Sequence, residues 1–148
     1  MLADVLTTHH SPLTISPLPK RTNMPDELYE KGMQTRRSVL GDEHVNRAEA
    51  NKTAFDADFQ EYITNNAWGA VWSRPGLTKR ERSLITIALL TALGHHDELA
   101  MHIRATKNTG ATEDDVKEVL LHTAVYAGVP AANGAIKIAK EIFNDKDV

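Results

Sequence analysis

The sequence predicts an all-α domain, and three observations predict it. Apolar residues recur at helical spacing in the longer segments from residue 55 onward. Helix starts and stops are marked by capping side chains, glycines and prolines. No alternating strand run and no hairpin signal appears. Together they give a compact bundle of about six to seven helices, joined by short connections with antiparallel neighbours.

Residues 1–23 stand apart. They hold Pro12, Pro17 and Pro19 among serines and threonines, without a sustained period. They read as a disordered or loosely docked arm, and residues 24–148 as the helical domain. Leu13-Thr14-Ile15-Ser16-Pro17 is not the continuous apolar stretch of a secretory signal, so a cytoplasmic location is expected. Residues 26–40 form a first helix stopped by Gly41, with a ragged apolar face of Leu28, Met33, Val39 and Leu40. Residues 42–51 suit a short helical turn. Residues 55–72 are clearer: Phe55, Phe59, Tyr62, Ile63, Ala67 and Val71 follow the 3.6 period, and Arg74-Pro75-Gly76 ends the segment.

Thr78 and Glu81 have the spacing of a capping box, which starts a helix over 79–93 that Gly94 closes. Its run Leu84 to Leu93 has almost no polar face, so the helix is expected to be buried on all sides. The run is too short for a membrane span. A helix over about 97–108 ends at Gly110. Thr112 caps the next, with Glu113, Asp114 and Asp115 at its positive end. Val116, Val119, Leu120, Thr123, Ala124 and Ala127 form its stripe. Pro130 opens a last helix lined by Ala131, Ala135, Ile138, Ala139 and Ile142. The apolar run at 84–93 exceeds what a small helical monomer can cover, so a subunit interface is expected to cover the rest.

The composition narrows the function. The chain has 148 residues, enough for one domain with a real core. A net charge of −3 gives no basic excess for nucleic acid. No cysteine is present, which removes disulfides, thiol chemistry and thiolate metal sites.

The candidate chemistry follows the apolar run. His95, Glu98 and His102 stand at i, i+3 and i+7, spacings that place them along one helix face. Glu98 and His102 are within reach of one another, and a carboxylate beside an imidazole raises its pKa and fixes its tautomer. The same three residues suit a zinc or iron site as an alternative. Arg80 and Arg82 crowd the positive end of a helix, where cations are disfavoured, which hints at an anionic partner. Trp68 and Trp72 suit a pocket wall or a subunit contact. Tyr126 suits a pocket or the core.

At these residues the chain resembles a known family. Arg82-Ser83-Leu84, Leu93-Gly94, the run Glu98-Leu99-Ala100-Met101-His102-Ile103-Arg104-Ala105, Asn108-Thr109-Gly110 and the run from Val125 to Asn133 are similar to the carboxymuconolactone decarboxylase family. The resemblance covers residues 26–143, including Phe55 to Gln60 and Trp68-Gly69. It implies an alkylhydroperoxidase-D-like helical bundle that assembles into trimeric or hexameric rings. The peroxidases of that wider group carry a cysteine pair followed by a histidine. The matching positions here are His95, Glu98 and His102, and Ser83 replaces their glutamate, so thiol peroxidase activity is ruled out.

The activity the resemblance implies is loss of carbon dioxide from 4-carboxymuconolactone, giving 4-oxoadipate enol-lactone in protocatechuate breakdown. No cofactor is implied, because electrons from the broken bond flow through the ring double bond into the lactone carbonyl. The expected catalytic residues are His102, Glu98 and Ser83. The expected substrate contacts are Arg82, Arg80, His95, Trp68 and Tyr126. The partners expected are a lactone carboxylate and further copies of the chain, with no nucleic acid and no membrane. Two other readings stay open: a non-catalytic helical oligomer that binds a carboxylated ligand, and a metal-dependent enzyme at His95, Glu98 and His102.

Overall fold

A computed structural model describes residues 24–145, and these are helical with no strand. The segment 1–23, read above as an arm, lies outside the described residues. The order is α1 (Met24–Leu40), α2 (Asp42–Asn51), α3 (Ala57–Ile63), a π-helix (Thr64–Trp72), α4 (Lys79–Leu93), α5 (His96–Arg104), α6 (Thr106–Thr109), α7 (Glu113–Ala127) and α8 (Val129–Asn144). Two predicted helices are divided. The 55–72 helix switches to π geometry at Thr64, and the 97–108 helix breaks at Ala105. At that break the Thr106 hydroxyl donates to the Ile103 carbonyl at 2.7 Å, a side-chain bond that competes with the helical ladder.

One core lies among α4, α5, α7 and α8. It holds Ile87, Leu99, Ile103, Val116, Leu120, Ala135, Ala139 and Ile142. Full burial of each Leu, Ile or Val contributes roughly 1.5–3 kcal/mol. Ala135 and Ala139 are the small side chains that α8 contributes to this core. A smaller core joins α1, the π-helix and the end of α5 through Val39, Trp68 and Ala105.

The second core rests on two glycines. A methyl group at Gly32 would stand 2.2 Å from the Thr64 carbonyl oxygen and 2.9 Å from the Gly69 amide nitrogen. One at Gly69 would stand 2.6 Å from the Leu28 carbonyl oxygen. The backbones of α1 and the π-helix therefore touch directly. Arg36, 4% exposed, fastens the crossing by donating to Gln60 Oε1 at 3.1 Å and Thr64 Oγ1 at 3.5 Å, with Glu49 at 3.8 Å.

The predicted capping box forms at Thr78 with Glu81, and the predicted cap Thr112 also forms a box, with Asp115. Two expectations of burial need correction. Phe55, Phe59, Tyr62 and Val71 are exposed. The buried face is instead Thr64, Trp68 and Gly69, because the glycine crossing selects the side that meets α1. Helix α4 is not buried all round. Ser83, Ile87 and Thr91 face the core, while Ile85, Leu89 and Leu93 are exposed, because α5, α7 and α8 cover one side only. No helix among the described residues is long and apolar enough to cross a membrane.

The glycine crossing makes a prediction. Gly32→Ala forces a methyl group into backbone atoms, and overpacking of this kind costs about 3 kcal/mol. Urea unfolding should show a clearly lower midpoint. An unchanged midpoint would mean that the two backbones can part without loss.

Candidate active site

The capping box fixes how α4 begins. The Thr78 amide donates to Glu81 Oε2 at 2.7 Å and the Glu81 amide donates to Thr78 Oγ1 at 3.2 Å, so Glu81 is a structural cap. From this start the next residues diverge. Arg80 points outward and makes a bidentate pair with Asp115 of α7, with Nε at 2.9 Å from Oδ2. It ties two helix starts together. Arg82 turns toward the end of the π-helix, where Nη2 donates to the Arg74 carbonyl at 3.1 Å. Its Nε is buried without a partner. Ser83 is fully buried, and its Oγ also has no hydrogen-bond partner.

The π-helix supplies aromatic rings. Trp68 and Trp72 lie with ring centroids 5.1 Å apart. The His102 imidazole, 7% exposed, lies near-parallel to both, 6.3 Å from Trp68 and 5.9 Å from Trp72. This assigns the tryptophans to the surroundings of His102. Burial is the main influence on that histidine, the positive field of His44 adds to it, and Glu98 opposes both. The balance pushes the pKa down to about 4. The sequence expectation was the reverse, a pKa raised by Glu98. Desolvation wins because the imidazole is packed away from water while Glu98 is exposed, where solvent screens its charge. His102 is therefore neutral at pH 7, and its Nδ1 is buried without a hydrogen-bond partner.

The remaining candidates are less convergent. His95 is exposed and precedes α5 with non-helical backbone angles, so it does not continue the face of Glu98 and His102. No three His, Asp or Glu side chains among the described residues are placed to hold a metal ion, which corrects the metal alternative for His95, Glu98 and His102. Tyr126 is 80% exposed and rests on His122, with ring centroids 4.9 Å apart, so it lies outside the core. Its helix turns that position outward, on a side that no other element covers among the described residues.

Glu98 lines a cleft of about 680 Å³ between α2 and α5, together with His44, Arg47, Met101 and Arg104. Sequence reasoning missed His44. The only local signal was its i, i+3 spacing to Arg47 on a short helix, and its nearness to His102 is purely tertiary. In chemical terms the site offers a neutral imidazole in dry aromatic surroundings, and unpaired polar atoms on Arg82 and Ser83. The cleft at Glu98 carries charges of both signs, including Asp42, Glu43, Asp97, Arg47 and Arg104. An unpaired buried polar group costs about 1–3 kcal/mol, so these atoms represent binding capacity held at the expense of stability.

Residues 57–141 match the carboxymuconolactone decarboxylase family. The chain is 52% identical over 120 residues to a 4-carboxymuconolactone decarboxylase of Acinetobacter baylyi, covering 81% of this chain and 90% of that protein. It is 42% identical over 118 residues to a nitrosuccinic acid decarboxylase of Metarhizium robertsii, covering 80% and 82% respectively. A 4-carboxymuconolactone decarboxylase of Pseudomonas putida matches at 51% identity over 41 residues, 28% of this chain.

The buried imidazole sets a pH dependence. The unfolded chain protonates His102 near its ordinary pKa of 6.5, and the folded chain only near 4. Between those values the unfolded state binds more protons, so stability falls as the pH drops through that window and is complete above it. The contribution is about 3 kcal/mol between pH 7 and pH 4. Urea unfolding of wild type should lose this much more than His102→Gln over the same range. A His102 NMR titration with its midpoint near 6.5 would contradict the account.

Proposed function

The chain belongs to the carboxymuconolactone decarboxylase family, and we propose that it is a carboxy-lyase converting 4-carboxymuconolactone to 4-oxoadipate enol-lactone and carbon dioxide. The observation that carries this reading is the 52% identity, over 120 residues, to the Acinetobacter baylyi enzyme of that name. A role in protocatechuate breakdown and a cytoplasmic location go with it.

The reaction asks little of a cofactor. The departing carboxylate sits on a ring carbon conjugated through the double bond to the lactone carbonyl. Its bonding electrons move into that carbonyl and form a dienolate, which then takes a proton on the carbon alpha to the carbonyl. The protein must stabilise the oxyanion, deliver the proton and orient the substrate. Preorganised donors in a dry site are worth most for the first task. A neutral His102 suits it, since an imidazole N–H gives a hydrogen bond without placing a full cation beside the departing carboxylate. Ser83 and the free Nε of Arg82 add donors from α4. Glu98 lies on the open side of α5, placed to pass a proton from solvent. The indoles of Trp68 and Trp72 make an apolar wall that favours departure of neutral carbon dioxide.

We also propose a homo-oligomer, a trimer or hexamer. Leu89 and Leu93 on α4 are 56% and 67% exposed, and Val125 and Tyr126 on the adjoining α7 are 78% and 80% exposed. A second copy is the occupant that the ring assembly of the family implies for these side chains.

Two measurements test these readings. Turnover of freshly generated 4-carboxymuconolactone, followed by its ultraviolet absorbance, should be fast with wild type and fall roughly 10²–10³-fold in His102→Ala. A folded wild type that gives no acceleration over buffer would sink the decarboxylase reading. Light scattering should give a multiple of the 16.4 kDa chain mass, and Leu89→Asp with Val125→Asp should shift it toward monomer. A wild-type monomer at micromolar concentration would refute assembly.

A further inference from the structure

Building on the decarboxylase reading, we propose that Ser73, anchored by Thr35 of α1, is a positioning residue for the reaction: its hydroxyl holds the last turn of the π-helix and thereby keeps the Trp72 indole against the imidazole of His102. The Trp68 carbonyl decides the geometry of that turn. In an α-helix it would accept from the amide of Trp72, four residues on, and in a π-helix from the amide five residues on. Here the Ser73 amide donates to it at 3.1 Å, and the Ser73 hydroxyl donates to it at 2.6 Å. Two donors from one residue fill both lone pairs of that oxygen, so none remains for the Trp72 amide.

The hydroxyl is itself held in place. It has one hydrogen, which goes to Trp68, so Thr35 is the donor in the 2.9 Å bond between Thr35 Oγ1 and Ser73 Oγ. Adjacent residues of α1 therefore grip both ends of the π-helix. Arg36 reaches Thr64 at its first residue, and Thr35 reaches Ser73 just past its last. One residue further on, the Arg74 carbonyl accepts from Arg82, which joins this stretch to the arginine whose Nε is buried without a partner. Trp72 is the group that this geometry places. Trp68 is 6% exposed and belongs to the small core with Val39 and Ala105, whereas Trp72 is half-buried and packs against the edge of that core. Its orientation rests more on the backbone that carries it than on enclosure. Its ring lies 5.9 Å from the imidazole, with 19° between the planes. A π turn holds more residues than an α turn, so a return to α geometry rotates Trp72 about the helix axis and off the imidazole. Water would then reach His102, whose neutral form in the reaction depends on its burial.

The experiment compares wild type with Ser73→Ala, Thr35→Val and Ser73→Thr. Three readouts are used: exciton-coupled circular dichroism of the Trp68–Trp72 pair, an NMR titration of His102, and steady-state kinetics on 4-carboxymuconolactone across pH. Ser73→Ala should weaken the couplet and raise the His102 midpoint from about 4 toward 6.5. The acid limb of kcat/KM should move to higher pH with it, because the imidazole then becomes charged sooner as pH falls. His44 and Glu98, the charged groups that also act on His102, are intact in every variant, so a moved midpoint reports its burial. At neutral pH kcat should fall roughly 2–10-fold, the worth of one neutral hydrogen bond, with KM nearly unchanged. Thr35→Val should move all three readouts the same way by a smaller amount, and Ser73→Thr, which keeps the hydroxyl, should restore them. A folded Ser73→Ala with the wild-type couplet, titration and kcat, even one less stable to urea, would overturn the proposal. Should Ser73→Ala fail to fold, Thr35→Val decides, and wild-type values there would overturn it equally. If wild type does not turn over the lactone, the decarboxylase reading fails by itself, and the couplet and the His102 titration still decide whether Ser73 places Trp72.

Discussion

The direct contact of two backbones at Gly32 and Gly69 sets the position of everything that surrounds His102. Because neither residue has a side chain, α1 and the π-helix approach until a carbonyl of one meets the Cα of the other. Arg36 then spends its buried guanidinium on Gln60 and Thr64, at the junction where α3 becomes the π-helix. This fixes which residues of the π-helix face inward. Trp68 is among them, and Trp72 follows one turn later against the same imidazole. The π geometry, uncommon and frequent at functional sites, is held in place by packing from α1. Its Trp68 carbonyl accepts from both the amide and the hydroxyl of Ser73, at 3.1 and 2.6 Å, and Ser73 in turn meets Thr35 of α1 at 2.9 Å.

From that constraint the chemistry follows in sequence. The imidazole is buried beside two indoles, burial outweighs the nearby carboxylate, and the result is a neutral histidine at physiological pH. The arrangement is expensive. His102 Nδ1, Ser83 Oγ and Arg82 Nε are all buried without partners. A fold selected for stability alone would fill such positions with apolar groups or pair them. Arg36 Nε on α1, Asn65 Oδ1 on the π-helix and Thr91 Oγ1 on α4 are buried without partners as well, and none of these atoms belongs to α7 or α8.

Local chemistry made much of the fold legible from sequence. The capping pairs at Thr78–Glu81 and Thr112–Asp115, and the left-handed glycines Gly94 and Gly110, mark helix ends through contacts between near neighbours in the chain. What failed depended on distant partners. The periodicity of Phe55, Phe59 and Tyr62 was real, but the glycine crossing chose another face. Arg80 looked free because Asp115 is 35 residues away. The direction of the His102 pKa followed from burial, which distant packing partners set. His44 gave no signal because residues 42–51 have little apolar pattern, and only folding brings them beside α5. The resemblance named the right family and singled out His102, whose surroundings in the structure suit chemistry. It gave no information about His44.

Helix α5 joins these strands of argument. Its apolar residues bury it on one side, and its charged residues keep the other side wet, as for any surface helix. In most proteins that division serves only stability. Here the boundary between the two sides runs through Glu98 and His102, at the edge of a space large enough for a small ligand. Helix α5 is set between the tryptophans and a cleft lined by both acidic and basic side chains. A reaction that erases the charge of a departing carboxylate needs the dry side of that boundary, because a wholly polar pocket would hold the departing group too firmly.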